Sequence, residues 1–171
     1  MTRATLALTA HDPGEATALA ALADDAEIAR MTTSIRRPFT PEMAAERIAR
    51  ADASGAEAVL GALRDANGTL VGEGGFLGRT APEILFWLGA PFRGQGLGHA
   101  ALAAVLARLF ERPGAEAARA ECYADNPASL AVLGAIGFLP DGTGVDDAHP
   151  ERDAPVRVLR FRLDRAAWEA S

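Results

Sequence analysis

The chain contains no lysine; all 17 of its basic residues are arginine. That excludes Schiff-base chemistry and the lysine-bearing phosphate loop of nucleotide hydrolases. A single cysteine, Cys122, excludes an internal disulfide framework and any clustered thiolate metal site, so no metal is expected. Positive charge is also short: the net charge is −6, the wrong sign for a bulk nucleic-acid binder and a mild attraction for cationic partners. Long apolar runs are missing. The uncharged stretch Asn126–Pro140 falls about five residues short of the ~20 that a bilayer span needs. No continuous apolar block lies between Met1 and His11-Asp12, so no signal peptide is expected and the reading is a soluble, cytoplasmic protein. The 39 alanines beside the absent lysine point to a G+C-rich coding bias, which carries no function.

What is present is ordinary for a globule: 49% hydrophobic and 23% charged residues over 171 positions, expected as one domain, 1–171. Thr5–Thr9 alternates as a short first strand. Asp12-Pro13-Gly14-Glu15 is a helix start with a capping-box acid, followed by Leu19, Leu22 and Ala26 on one face of an alanine-rich helix. Ile35–Phe39 reads as a loop, and Thr40-Pro41-Glu42 opens a helix running to about Asp52. Ala58–Leu63 and Leu70–Leu77 are strands joined by the turn Asp65-Ala66-Asn67-Gly68. Glu83–Leu88 is the strongest strand. After a glycine-rich turn comes a helix carrying Leu102, Leu106, Leu109 and Phe110. Ala117–Tyr123 is a strand with Arg119, Glu121 and Tyr123 on one face and Ala118, Ala120 and Cys122 on the other. Asn126–Ile136 is a helix closed by Gly137. Asp141–Pro155 reads as a loop, and Val156–Leu163 as a last strand. The sequence reads as one mixed α/β unit.

The turn Arg93-Gly94-Gln95-Gly96-Leu97-Gly98 stands between a strand and a helix. Free N–H groups at a helix N-terminus, with glycines that admit a ligand close to the backbone, make an anion-binding arrangement. The spacing Gly-x-Gly-x-Gly does not fit the dinucleotide fingerprint Gly-x-Gly-x-x-Gly. Read without a ligand, the same glycines are a tight turn. Further on, Asn126-Pro127-Ala128-Ser129 opens the helix that ends in Gly137-Phe138, and Asn126 reads equally as a plain N-cap.

Together these residues resemble the GNAT acetyltransferases. Arg93-x-x-Gly96-x-Gly98 is similar to that superfamily's Gln/Arg-x-x-Gly-x-Gly/Ala acetyl-CoA motif, and Asn126-x-x-Ser129 with the later Gly-Phe resembles its next motif. Glu83-Ile84-Leu85-Phe86-Trp87-Leu88 resembles the Glu-Ile-Gly-Tyr-Trp-Leu of the Rim-type branch, which acetylates N-termini of bacterial ribosomal proteins. The resemblance implies a mixed, mostly antiparallel sheet of six or seven strands, splayed between the fourth and fifth, with helices on both faces. It implies acetyl-CoA as cosubstrate and a primary amine as acceptor; monomer and homodimer both stay open. Backbone groups of Trp87, Leu88 and Gly89 would pair with pantetheine, and N–H groups from Arg93, Gly94, Gln95, Gly96, Leu97, Gly98 and His99 would hold the pyrophosphate. Asn126 and Ser129 would also touch the cofactor.

For chemistry, the tyrosine that many relatives use to protonate the leaving thiolate is replaced by Leu133, which leaves Ser129 as the acid. Glu121, five residues before Asn126, and Glu83, at the start of the fourth strand, are the two principal candidates for the base. The loop acids Asp141, Asp146, Asp147 and Glu151, or no dedicated base, are the alternatives. Phe86 and Trp87 read as core or cleft lining, Cys122 as a packed thiol, His99 as an exposed bystander or a side chain that reaches a phosphate, and His11 and His149 as solvated. A catalytically idle acyl-CoA-binding module is the competing function.

Overall fold

The computed structural model describes residues 5–53 and 58–170; stretch 1–4, where a signal peptide would begin, lies outside them. The strands are β1 (Ala7–Thr9), β2 (Ala58–Arg64), β3 (Leu70–Leu77), β4 (Glu83–Leu88), β5 (Ala117–Tyr123), β6 (Leu139–Asp146) and β7 (Val156–Asp164). They form one sheet in the order β1-β2-β3-β4-β5-β7-β6, antiparallel throughout except for the parallel pair β4–β5. That pair is joined in register only at Glu83 and Arg119. Beyond this point the two strands part, as expected, and leave an opening in the middle of the sheet.

The helices are α1 (Ala16–Ala23), α2 (Ala26–Met31), α3 (Pro41–Ala53), α4 (Leu97–Phe110), α5 (Pro127–Ile136) and α6 (Arg165–Glu169). One face of the sheet carries α4 and α5 over Phe76, Ile84, Ala118, Ala120 and Cys122. The other carries α1 and α3 over Trp87, with Leu19, Ile28, Ile35 and Ile48 around it. Strand alternation divides β4 between them, Phe86 turning to α4 and Trp87 to the opposite layer. Gly74 lets α4 settle on β3, because a Cβ there would lie 2.7 Å from Val105 Cγ2.

Two expectations need correcting. The first alanine-rich helix is not continuous to Ala26. It begins as a 3₁₀ turn at Pro13–Glu15 with the expected Asp12 capping box, ends at Ala23, and restarts at Ala26. The break falls at Asp24-Asp25: Asp25 accepts from the N–H groups of Glu27 and Ile28 as a new N-cap, and Asp24 turns away to accept from Phe39 N–H. The stretch read as a loop from Asp141 contains most of β6. This strand is an edge, almost wholly exposed, with an irregularity between Pro140 and Gly142, so it has neither an apolar face nor the composition of an interior strand.

Candidate active site

Where β4 and β5 part, one continuous cavity of about 1080 Å³ runs from the glycine turn to the far wall of β5–β7. At one end Gly94 and Gly96 have φ of +70° and +76°, and among the described residues nothing beyond the adjoining ones lies within 4 Å of where a Cβ would stand. Gly96 is the N-cap of α4 and has no side chain to cap the helix, so its own position leaves the N-terminal amides uncovered. A diphosphate fits this cradle. Gly98 serves a different purpose: a Cβ there would lie 2.9 Å from Val132 Cγ2, so it admits α5 against α4. His99, read as exposed, is instead half-buried on the first turn. Arg93 spends its N–H on Ala90 and its side chain on protein: Nε donates to the Leu88 carbonyl at 3.0 Å, and the guanidinium pairs with Asp25 and Glu27. Gln95 donates to the Pro91 carbonyl.

On the β4 side, Gly89 gives its N–H to Val71 across β3. Trp87 lines the cavity but is buried, its indole N–H donating to Glu73 at 3.2 Å. Asn126 caps α5 by accepting from Ser129 N–H at 3.0 Å, which leaves its amide NH₂ without a protein partner among the described residues. Ser129 lies within hydrogen-bond reach of Cys122, and both line the cavity. Burial raises the Cys122 thiol's pKa and the Ser129 hydroxyl only partly offsets this, as suits a packed thiol. Leu133 is core and cavity lining.

The two candidate bases share one patch of the far wall. Glu121 is held by Arg160, Nε to Oε1 at 2.5 Å, while Arg160 also donates to the Thr143 carbonyl. Burial and then the charge of Glu121 push the Glu83 carboxyl above its ordinary value of 4.5, against the pull of Arg160 and Arg119. Asp146 and Asp147 line the same end, whereas Asp141 and Glu151 do not reach the cavity. Tyr123, the chain's one tyrosine, donates to Asp146 at 2.7 Å, and burial together with that bond holds its phenol well above its ordinary pKa.

Neither His11 nor His149 is solvated; both are 6% exposed. His149 accepts the Glu151 N–H at Nδ1, so Nε2 carries the proton and donates to the Thr32 carbonyl at 3.0 Å. With Arg152, which stacks on Tyr123 and binds Asp125, it ties the segment after β6 to the end of α2. His11 lies between Glu15, at 2.8 Å, and Glu73, at 3.1 Å, and Glu73 is wholly buried beneath Arg47 and Trp87. Spacing along the chain offered no sign of the Glu73 pairings, since Glu73 is 62 residues from His11 and 26 from Arg47.

Solved structures share this fold. A RimL ribosomal-protein alpha-N-acetyltransferase in complex with coenzyme A superposes with a TM-score of 0.83 at 21% identity, over 95% of this chain and 96% of its own. A spermidine N-acetyltransferase from Vibrio cholerae, bound to CoA and spermine, gives 0.83 at 15% identity, with 96% and 98% covered. The microcin self-immunity acetyltransferase MccE, bound to acetyl-CoA and AMP, gives 0.79 at 16%, with 94% and 92% covered. At these identities the likeness is one of fold. The acetyltransferase (GNAT) domain model matches residues 5–139, most of the chain and all of the cleft between the glycine turn and α5. The chain therefore belongs to the GNAT acetyltransferases.

Proposed function

We propose that the protein transfers an acetyl group from acetyl-CoA directly to a primary amine, within a ternary complex and without a covalent enzyme intermediate. The observation that carries this is the continuous cavity joining the uncapped glycine turn of α4, the parted strands β4 and β5, and a carboxylate patch at the far end. The N–H groups around Gly94–Gly98 hold the diphosphate, and the free NH₂ of Asn126 donates to a pantetheine carbonyl. The acyl group then lies in the gap between β4 and β5, near Ser129.

Of the two acids, Glu83 is the base. Glu121 is already paired with Arg160, whereas Glu83 has no such partner among the described residues and is made more basic by its surroundings. Glu83, directly or through a water, takes a proton from the ammonium, and the free amine attacks the acyl carbonyl. As the tetrahedral intermediate collapses, Ser129, or a water that Ser129 orients, gives its proton to the departing thiolate and is reprotonated by the second N–H proton that the attacking nitrogen sheds. The acceptor is a protein N-terminus or a small-molecule amine, the two kinds of acceptor in the names of the RimL and spermidine enzymes. On this reading the enzyme works in the bacterial cytoplasm as a monomer or homodimer, with no nucleic-acid partner.

The test is calorimetric titration with CoA, followed by thiol release from acetyl-CoA with spermidine, other amines and N-terminal peptides. Saturable CoA binding with amine-dependent thiol release is expected. Tight CoA binding with no release across a broad panel would make the protein an acyl-CoA-binding module instead, and no CoA binding would overturn both.

A further inference from the structure

The arginine that opens the glycine turn does not reach into the cradle. Arg93 turns toward α2, where its guanidinium meets Asp25 Oδ1 at 2.6 Å and Glu27 Oε2 at 2.5 Å, with Nε on the Leu88 carbonyl. Both acids lie at the N-terminal end of α2, Asp25 as its cap and Glu27 in its first turn, and Glu27 and Arg93 line the cavity beside Gly94 and Gly96. The far end of α2 is fastened too, by Arg152 on the Arg30 carbonyl and His149 on the Thr32 carbonyl. A helix anchored at its C-terminal end can hold Arg93 in place from its N-terminal end.

We infer that Asp25 and Glu27 are positioning residues for coenzyme A: by clamping Arg93 they fix the backbone of the Gly94–Gly98 turn in the shape that receives the diphosphate. This rests on the cavity being the CoA site. The alternative, that the two acids are a solvated face beside an anion site, makes the opposite prediction. Carboxylates next to a bound diphosphate repel it, so on Coulomb grounds alone their removal tightens binding. Under the clamp, their removal loosens the turn and weakens binding.

The substitutions Asp25→Asn and Glu27→Gln separate these cases without disturbing the helix, because asparagine caps as well as aspartate. CoA binding is measured by calorimetry on the full chain at low salt, in the wild type, the double acid variant, Arg93→Gln, and the triple variant. The double acid variant is expected to bind CoA threefold or more weaker. In the Arg93→Gln background the same two substitutions are expected to cause no further weakening, since the acids act only through the guanidinium. Unchanged or tighter binding by the double variant overturns the clamp, as does equal weakening with and without Arg93. Failure of the wild type to bind CoA overturns the assignment of the cavity itself, so the two failures are distinct.

Discussion

Glu83 and Glu121 differ by their partners. Glu121 has the Arg160 guanidinium at 2.5 Å, whereas Glu83 feels burial and the charge of Glu121. A base must be ionised to accept a proton, so kcat/KM falls as pH drops through the pKa of Glu83. Glu121→Gln removes a repelling charge and moves this acid limb to lower pH. Arg160→Ala removes an attracting charge and moves it to higher pH. Glu83→Gln abolishes the limb and lowers kcat by ~100-fold or more. Profiles of kcat/KM against pH for the three variants check this; a limb that stays in place in both Glu121→Gln and Arg160→Ala removes Glu83 from the role. Both acids were legible as candidates, because each stands at a recognisable place on its strand. Their inequality was not. Arg160 stands opposite Glu121 only through the β5–β7 register, 39 residues apart in the chain, and no local pattern carries that.

The glycine turn and α4 show how much one element can conceal. Three glycines at alternate positions suggest one shared role, yet Gly96 is a left-handed N-cap with open space around it and Gly98 is a packing contact with Val132. Gly96→Ala therefore incurs the left-handed penalty of ~1–2 kcal/mol and places a methyl group in the diphosphate cradle. Gly98→Ala pushes on Val132 and strains the α4–α5 contact, at about 1–3 kcal/mol if the helices cannot yield. CoA titration and thermal melting of both variants should show the greater loss of affinity, relative to the loss of stability, in Gly96→Ala. Equal ratios would mean that both glycines serve the same end. Strands β4 and β5 were legible to the residue, because interior strands between two helical layers have distinct composition and alternation. Strand β6 was not, because an exposed edge is released from both constraints and tolerates Pro140, Gly142 and Gly144.

Across the whole molecule, the sheet is tied to the α1–α3 layer by a polar network rather than by apolar contact alone. Glu73, at the centre of β3, receives Arg47 from α3, the Trp87 indole from β4 and His11 from the turn after β1. Trp87 borders the cavity, so the network also steadies that wall. Both ring nitrogens of His11 face carboxylates, an arrangement that favours both as donors and a cationic ring. Burial opposes this charge, but the hydrogen bonds to Glu73 and Glu15 prevail, and the pKa of His11 is raised above its ordinary 6.5. Burial likewise opposes ionisation of Glu73, and His11 and Arg47 prevail, holding it below its ordinary 4.5. The signs follow by linkage. A raised histidine stabilises the fold fully below pH 6.5 and loses this as pH rises through its folded value; a lowered glutamate stabilises above pH 4.5 and loses this as pH falls. The network is thus strongest between these two values, and every tenfold change in a group's proton affinity on folding corresponds to about 1.4 kcal/mol. His11→Gln removes the titrating group and leaves Arg47 on Glu73. Urea unfolding from pH 4 to pH 8 should show wild-type stability declining above pH 6.5 more steeply than that of His11→Gln, with the acid-side decline kept in both. Parallel curves above pH 6.5 would mean that His11 is neutral in the fold, with one of its two carboxylates holding the proton.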